Sequence, residues 1–388
     1  MNQKLKDTIK DIVQSGTATP FYFYDTELLR ATLEAAVKAY QKYGFVVHYA
    51  LKANSHHEVL KMTRHYLQGA DCVSGNEVQR AVDAGFDPGG IVFAGVGKSD
   101  AEIDLALRND IFCFNCESEQ ELEVIQERAL IQCKKARIAL RINPGVDAQT
   151  HHYITTGLEE NKFGINMWEL ESITEKLKHL PNLQLTGLHF HIGSQITRLD
   201  PFKSLCLRVN EISDWFVSKH IPIQHINVGG GLGINYHHPD QEAIPDFEAY
   251  FQLFHRFLQL RPGQQLHFEL GRAIVGQCGS LVSKVLYIKK GLKTNFAILD
   301  AGMTELIRPA LYQSYHSIEN ISKNDQQLLP YDVVGPICES SDCFGKAVFL
   351  PATSRGDIVV IRSTGAYGEV MASHYNLRDT APSIFAKD

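Results

Sequence analysis

Eight short apolar runs, separated by segments of helical period, constrain the fold of this chain more than any other feature. They lie at 45–50, 70–74, 91–95, 111–116, 136–142, 185–192, 225–229 and 266–270. Between them fall stretches such as 77–85, where Val78, Ala81 and Val82 keep helical spacing and Gly85 closes the segment at the C′ position. Near-continuous apolar strands alternating with helices indicate a parallel sheet covered by helices. Eight of them suggest an α/β fold of the TIM-like (β/α)8 barrel type. A doubly wound open sheet is the rival, but it would not require a count of eight.

The rhythm changes after residue 271. Strand-like runs at 280–288, 295–300, 331–334 and 357–362 follow with few helical stretches between them. They predict a C-terminal all-β domain, a sandwich or a second barrel, completed by the N-terminal strand at Phe21–Tyr24. A chain of 388 residues exceeds one ordinary core, so two domains are expected: 26–271, and 1–25 plus 272–388. Asp25 is placed to cap the helix that leads into the first barrel strand. The polar stretch 319–330 reads as a surface loop.

Composition mainly excludes. The net charge is −6 with 21% charged residues and no basic cluster, which argues against a nucleic-acid surface. No apolar run reaches membrane-spanning length, and the stretch from Met1 to Asp7 lacks the apolar core of a signal peptide. Eight cysteines in a chain this long do not make a disulfide framework. Cys113 and Cys116 have CxxC spacing but no second pair with ligand spacing, so buried thiols and no metal site are expected. The cytoplasm is the expected compartment.

In a barrel of this kind the active site lies where the strands end. The polar residues at those ends are Lys52; Asp71 with Ser74; Arg141 with Asn143; His189 and His191; Gly229, Gly230 and Gly231; and Glu269 with Arg272. A lysine closing a strand is more often a solvated charge, but it is also the residue that condenses with carbonyl cofactors. The three glycines follow the seventh strand, a favoured phosphate site, where bare backbone N–H groups can meet an anion. His191, with Ser194 nearby, offers a flat ring to stack on an aromatic cofactor, whereas His189 reads as a hydrogen-bonded structural residue. A carboxylate at Glu269 would keep a pyridine nitrogen protonated; a salt bridge with Arg272 is its plainer alternative. In the β domain, 335–342 sets the Cys338 thiol among carboxylates, which would raise its pKa and suit it to donate a proton, although an inert cysteine is the commoner outcome. Tyr367 sits between glycines at 365 and 368.

With these residues assembled, the chain resembles the alanine-racemase-like, fold type III pyridoxal-phosphate-dependent decarboxylases. The motifs are Tyr49-Ala50-Leu51-Lys52-Ala53-Asn54, Gly69-Ala70-Asp71-Cys72-Val73-Ser74, His189-Phe190-His191-Ile192-Gly193-Ser194-Gln195 and the triple glycine. They continue with Glu269-Leu270-Gly271-Arg272, Arg308-Pro309-Ala310-Leu311-Tyr312, Gly335-Pro336-Ile337-Cys338-Glu339-Ser340 and Gly365-Ala366-Tyr367. The resemblance implies pyridoxal 5′-phosphate carried by Lys52, with Asp71 close by, His191 stacked on the ring and Glu269 at the ring nitrogen. It implies Ser194, Gly229–Gly231, Leu270, Gly271, Arg272 and Tyr367 around the phosphate, and Cys338 as proton donor. It also implies a homodimer in which the Cys338–Ser340 loop completes the partner's site.

The Arg308–Tyr312 segment matches the branch acting on meso-2,6-diaminopimelate, releasing CO2 and L-lysine. There Arg272, Arg308 and Tyr312 would clamp the distal carboxylate, Glu339 would face the distal ammonium, and Ser340 and Tyr367 would join them. The rival readings are an ornithine, arginine or carboxynorspermidine decarboxylase of the same fold and a catalytically silent regulatory paralogue; a racemase would work without the clamp. Two departures stand out: Leu270 where the family has proline, and Thr304-Glu305 where it more often has Asn-Asp. The segment 145–163 is long and polar enough for a lid.

Overall fold

The computed structural model describes residues 1–146, 162–323 and 327–386; residues 147–161 of the expected lid lie outside them. Its contacts divide into two units. One comprises Leu33–Gly233 and Asp246–Gly271; the other comprises Met1–Thr32, Ile234–Pro245 and Arg272–Asp388. Helix α1 (Gln3–Gln14), which the sequence reading missed, and β1 (Phe21–Tyr24) belong to the second unit.

The first unit is built on β2 (Val46–Ala50), β3 (Gly69–Cys72), β4 (Ile91–Phe93), β5 (Cys113–Cys116), β6 (Ala136–Arg141), β7 (Leu183–His189), β8 (His225–Asn227) and β9 (Gln265–Leu270). These eight strands form a closed parallel barrel in chain order. Closure comes from β2 on β9, with Val46 opposite His267 and Tyr49 opposite Leu270, so the open sheet is excluded. The intervening helices include α2 (Thr26–Gln41), α3 (His57–Thr63), α4 (Gly75–Asp83), α5 (Asp100–Arg108), α6 (Glu119–Ile131), α7 (Leu170–Leu177), α8 (Asp200–Ser218) and α9 (Phe247–Phe257). Their starts follow capping chemistry. Asp25 accepts the Leu28 N–H at 3.0 Å, and Ser74 and Ser118 accept those of Glu77 and Glu121. Each such cap contributes about 1 kcal/mol. Ser74 is thus a helix cap in this structure.

The outer core is aromatic. Tyr250, Phe251 and Phe254 of α9 are buried and pack edge-on against Phe268 of β9, with centroids 4.9 to 5.7 Å away. Burying each ring contributes about 1.5–3 kcal/mol.

Inside the barrel the two-residue period of the strands stacks side chains in rows. One row is imidazole: His48 Nε2 lies 2.9 Å from His267 Nδ1, and the His225 ring sits 5.1 Å from that of His267. Glycines make room for it, since a Cβ on Gly187 would lie 2.1 Å from the His225 ring, and one on Gly69 only 2.4 Å from His48 Nδ1. The next row toward the strand ends holds Asn115, His189, Asn227 and Glu269, all buried.

The second unit is mostly sheet. Its strands are β1, β10 (Gly279–Lys290), β11 (Asn295–Leu299), β12 (Ile318–Asn320), β13 (Leu328–Val334), β14 (Cys343–Pro351), β15 (Ile358–Ile361) and β16 (Ser383–Phe385). They run in the order β12-β15-β10-β11-β13-β14, with β1 joined to β10 and β16. As expected, the N-terminal strand completes the sheet: Phe21 pairs with Val282 and Tyr24 with Gly279, antiparallel.

The expected β domain is thus present as a mostly-sheet unit, which also holds α1 and the short helices α10 (Arg272–Val275) and α11 (Arg308–Tyr312). One expectation needs correction here. The 319–330 stretch is not one loop: β12 and β13 take its ends. Asn320 tolerates burial because its amide donates to Thr353 Oγ1 and Asp357 Oδ2.

Candidate active site

Each unit carries its own constellation. In the barrel, a 3-10 turn (Leu51–Ala53) at the end of β2 delivers Lys52, whose Nζ lies 2.6 Å from Asp71 Oδ2. Asp71 is fully buried at the end of β3. Burial pushes its carboxyl up, the charge of Glu269 adds to this, and Lys52 opposes both. Its Oδ1 is buried without a hydrogen-bond partner.

Glu269, near the end of β9, is held by three side chains. Its Oε1 accepts from Asn227 Nδ2 at 2.8 Å and Asn115 Nδ2 at 3.3 Å, and faces His189 Nε2 at 3.1 Å. Oε2 has only the longer 3.3 Å contact to the same ring nitrogen. Burial alone would raise this carboxyl. The His189 interaction, then Lys52, outweigh burial and hold it well below the ordinary carboxylate range. Glu269 is therefore an anion with one oxygen saturated and the other lightly used. The sequence reading left His189 as a hydrogen-bonded structural residue; in the structure its Nε2 faces Glu269. Asn115 and Asn227 were missed, though an asparagine at an inward position of an apolar strand was the available signal.

The Gly229–Gly231 turn lies between these parts. Gly229 and Gly231 have φ of +69° and +105°, and a Cβ on Gly230 would lie 1.9 Å from the Glu269 carbonyl oxygen. These glycines are thus required by backbone conformation and close packing. The Gly229 N–H donates to Asn227 Oδ1 at 2.8 Å and that of Gly230 to His191 Nδ1 at 3.4 Å, so these two are engaged within the barrel, where the sequence reading aimed them at a phosphate. The Gly230 contact requires an unprotonated Nδ1. Burial, followed by Arg141 and Lys52, lowers the His191 pKa well below its usual value, leaving a neutral ring. Ser194 follows at the end of the same segment, two residues beyond Ile192. Arg141 pairs with Glu117 at 2.6 Å and lies over the Phe163 ring, and Asn143 donates to Asn166. Leu270 is buried at the end of β9. Gly271 is needed for space, since a Cβ there would meet the Ala53 methyl at 2.7 Å.

The second unit collects cations. Arg272 opens α10, Arg308 opens α11, and both are buried. Arg272 Nη1 donates to Tyr236 Oη at 2.6 Å, and its guanidinium lies 4.7 Å from the Tyr367 ring centre. Arg308 Nη1 donates to the same Tyr236 oxygen at 2.8 Å and faces His316 Nε2 at 3.0 Å. Burial, then Tyr236 in opposition and Arg272 in support, leave Arg308 below its usual pKa. Tyr312 ends α11 and is half-buried. The sequence reading missed Tyr236 and His316; neither falls in a motif that announces it. The departure at Thr304-Glu305 has a clear job: Glu305 Oε2 accepts the Gly302 N–H and the Thr304 hydroxyl, fixing the turn that leads to α11.

Cys338, Glu339 and Ser340 lie together on an exposed turn. The Cys338 N–H donates to Asn376 Oδ1, and Glu339 accepts the Tyr375 hydroxyl. Asp342 does not serve the thiol, because its carboxylate accepts the Ile337 N–H of the turn itself and the Met303 N–H of the segment before α11.

Known proteins agree with this geometry. The family described as "Pyridoxal-dependent decarboxylase, pyridoxal binding domain" matches residues 27–276. A diaminopimelate decarboxylase of Bacteroides thetaiotaomicron is 58% identical over 362 residues, 93% of this chain and 94% of the relative. The chain belongs to the diaminopimelate decarboxylase family of pyridoxal-dependent decarboxylases. A solved family member, the Helicobacter pylori diaminopimelate decarboxylase complexed with L-lysine, superposes with a TM-score of 0.91 at 40% identity, covering 97% of this chain and 94% of that one. The lysine/ornithine decarboxylase of Vibrio vulnificus, at 22% identity and a TM-score of 0.86, shares the fold. Among the described residues no helix is long and apolar enough to cross a membrane.

Pyridoxal phosphate is the family's cofactor, and the barrel residues suit it. Lys52 is a strand-end amine beside a buried carboxylate. Glu269 keeps a lightly used, ionised oxygen of the kind that holds a pyridine nitrogen protonated, and His191 is a neutral ring able to stack. The buried, partnerless Asp71 Oδ1 and His189 Nδ1 are polar atoms that a polar ligand can engage.

Proposed function

We propose that this protein removes one carboxylate of meso-2,6-diaminopimelate as CO2 and releases L-lysine. The observation that carries the substrate choice is Arg308, a buried guanidinium whose partners among the described residues are the neutral Tyr236 hydroxyl and His316 ring. A buried cation with neutral partners calls for an anion. A carboxylate at the unreacted end of the substrate supplies it, as a monocarboxylate such as ornithine does not.

Bound pyridoxal phosphate supplies the electron sink for the pair left behind by CO2. This chain's residues do the rest. Lys52 would hold the cofactor, Glu269 would keep its ring nitrogen charged, His191 would offer its flat ring to it, and Ser194, the glycine turn, Leu270, Gly271, Arg272 and Tyr367 would lie about its phosphate. Arg308 and Tyr312 take the distal carboxylate, and Glu339 and Ser340 take the distal ammonium. The carbon that loses CO2 must gain one proton, which we assign to the Cys338 Sγ–H. The exposure of the Cys338–Ser340 turn supports a homodimer in which a second copy of the chain covers it. The domain roles follow, with 26–271 for the cofactor and 1–25 plus 272–388 for the substrate and the partner chain, and the proposed compartment is the cytoplasm, in keeping with the family.

Incubating the pyridoxal-phosphate-loaded protein with meso-diaminopimelate should give CO2 and L-lysine in equal amounts. Bound cofactor with neither product would overturn the proposal.

A further inference from the structure

Arg308 is held by one end only. Its Nη1 carries two hydrogens, and both have acceptors: Tyr236 Oη at 2.8 Å and His316 Nε2 at 3.0 Å. The second contact settles the state of His316. Its Nδ1 lies 2.8 Å from the Arg362 carbonyl oxygen, which only accepts. Nδ1 must therefore carry the proton and Nε2 must be bare, a single neutral tautomer that satisfies both neighbours. Burial, with Arg308 next, pushes the His316 pKa down to about 3, so the ring stays in this form throughout the neutral range. Tyr236 is fixed from the other side, because Arg272 Nη1 donates to the same phenolic oxygen at 2.6 Å.

With Nη1 engaged, the remaining donors of Arg308 are Nε and Nη2, and no acceptor meets them among the described residues. These two N–H groups are parallel and spaced to match the two oxygens of a carboxylate. We infer that His316 and Tyr236 are positioning residues that clamp the Nη1 end of Arg308 so that its Nε–Nη2 edge is kept for the substrate's distal carboxylate. This rests on the reading of Arg308 given above and adds two residues that set specificity through it. A guanidinium freed from them rotates about its last side-chain torsions, and a two-point contact becomes an average over poorer ones.

The test uses two ligands of the pyridoxal-phosphate-loaded protein that differ in one group. L-lysine keeps the distal carboxylate, and cadaverine has none. His316→Leu should weaken L-lysine binding about tenfold, the scale of one lost charge-assisted hydrogen bond, and cadaverine binding by less than about twofold. Tyr236→Phe, which deletes a single oxygen, should act in the same direction and provides a second route if His316→Leu does not fold. His316→Gln, whose amide can accept from Arg308 while donating to the Arg362 carbonyl, should bring L-lysine binding back to within about threefold of the native protein. In an Arg308→Leu background, His316→Leu should add nothing further. Equal losses for both ligands, or additive losses in the double variant, would overturn the positioning role. Unchanged L-lysine binding in Arg308→Leu alone would instead overturn the carboxylate reading of Arg308, a separable result.

Discussion

The barrel site and the arginine cluster of the second unit solve opposite electrostatic problems. Glu269 is a buried anion surrounded by its own donors, Asn115, Asn227 and His189, with Lys52 adding to the field that keeps it ionised. Arg308 is a buried cation given, among the described residues, only a phenol and a neutral imidazole. The first arrangement is complete within the protein and is ready to act on a cofactor nitrogen. The second is left one negative charge short, as befits a site whose ligand brings that charge. Internal compensation thus marks the part of the site that stays constant through the reaction, and its lack marks the part that selects a substrate.

The largest effect on the barrel side should come from Lys52→Ala. Turnover should fall by about three orders of magnitude or more, the scale of removing a covalent catalytic group, while the absorbance of the lysine-bound cofactor disappears. Near-normal turnover would break the assignment. Glu269→Gln should lower kcat about 100-fold, as for removal of one preorganised electrostatic partner, with KM for diaminopimelate changing little. A loss confined to KM would show that Glu269 belongs with the substrate-selecting group instead.

Arg308→Leu should do the reverse, raising KM for diaminopimelate about 10- to 100-fold, as expected for a lost charge-assisted pair, while cofactor loading stays intact by absorbance. Loss of cofactor in this variant would move Arg308 to the cofactor-holding set and dissolve the contrast.

The smallest effect is on stability. The buried His225 and His316 titrate at about 3, and His267 at about 2, against about 6.5 in the unfolded chain. Between those values the unfolded state binds more protons, so stability is full above pH 6.5 and is lost as pH falls toward 3. Each such imidazole should remove about 1 kcal/mol per unit of pH in that window. Urea midpoints measured from pH 7 to 5 should fall, and His267→Phe should flatten the slope. An unchanged slope would mean that the imidazole row is already protonated in the folded barrel.

The barrel side of this contrast was the more legible in the sequence. Eight apolar runs mark eight strands, and the polar residues at their ends converge because the topology forces them to, so Lys52, Asp71, His191 and Glu269 could be found without coordinates. What stayed hidden were side chains whose role is support. Asn115, Asn227 and His189 act on Glu269 only through barrel closure, and the bonds from the Gly229 and Gly230 N–H groups to Asn227 and His191 likewise exist only in the folded barrel. Tyr236 was invisible because it lies 36 and 72 residues from Arg272 and Arg308, and His316, eight residues beyond Arg308, because no helical or strand period links the two. The strands β12 and β16 were lost because three residues carry no period, and the nine-residue β14 because Gly345 and Lys346 interrupt its apolar pattern.

The most direct test of the account is CO2 release by the loaded native protein and its Arg308→Leu variant, each offered meso-diaminopimelate, L-ornithine, L-arginine and carboxynorspermidine at equal concentration. The account predicts release from diaminopimelate alone by the native protein, and a variant that loses most of this preference at low substrate while it still holds its cofactor. Release from L-ornithine or L-arginine by the native protein, or a preference that survives the loss of Arg308, would contradict it.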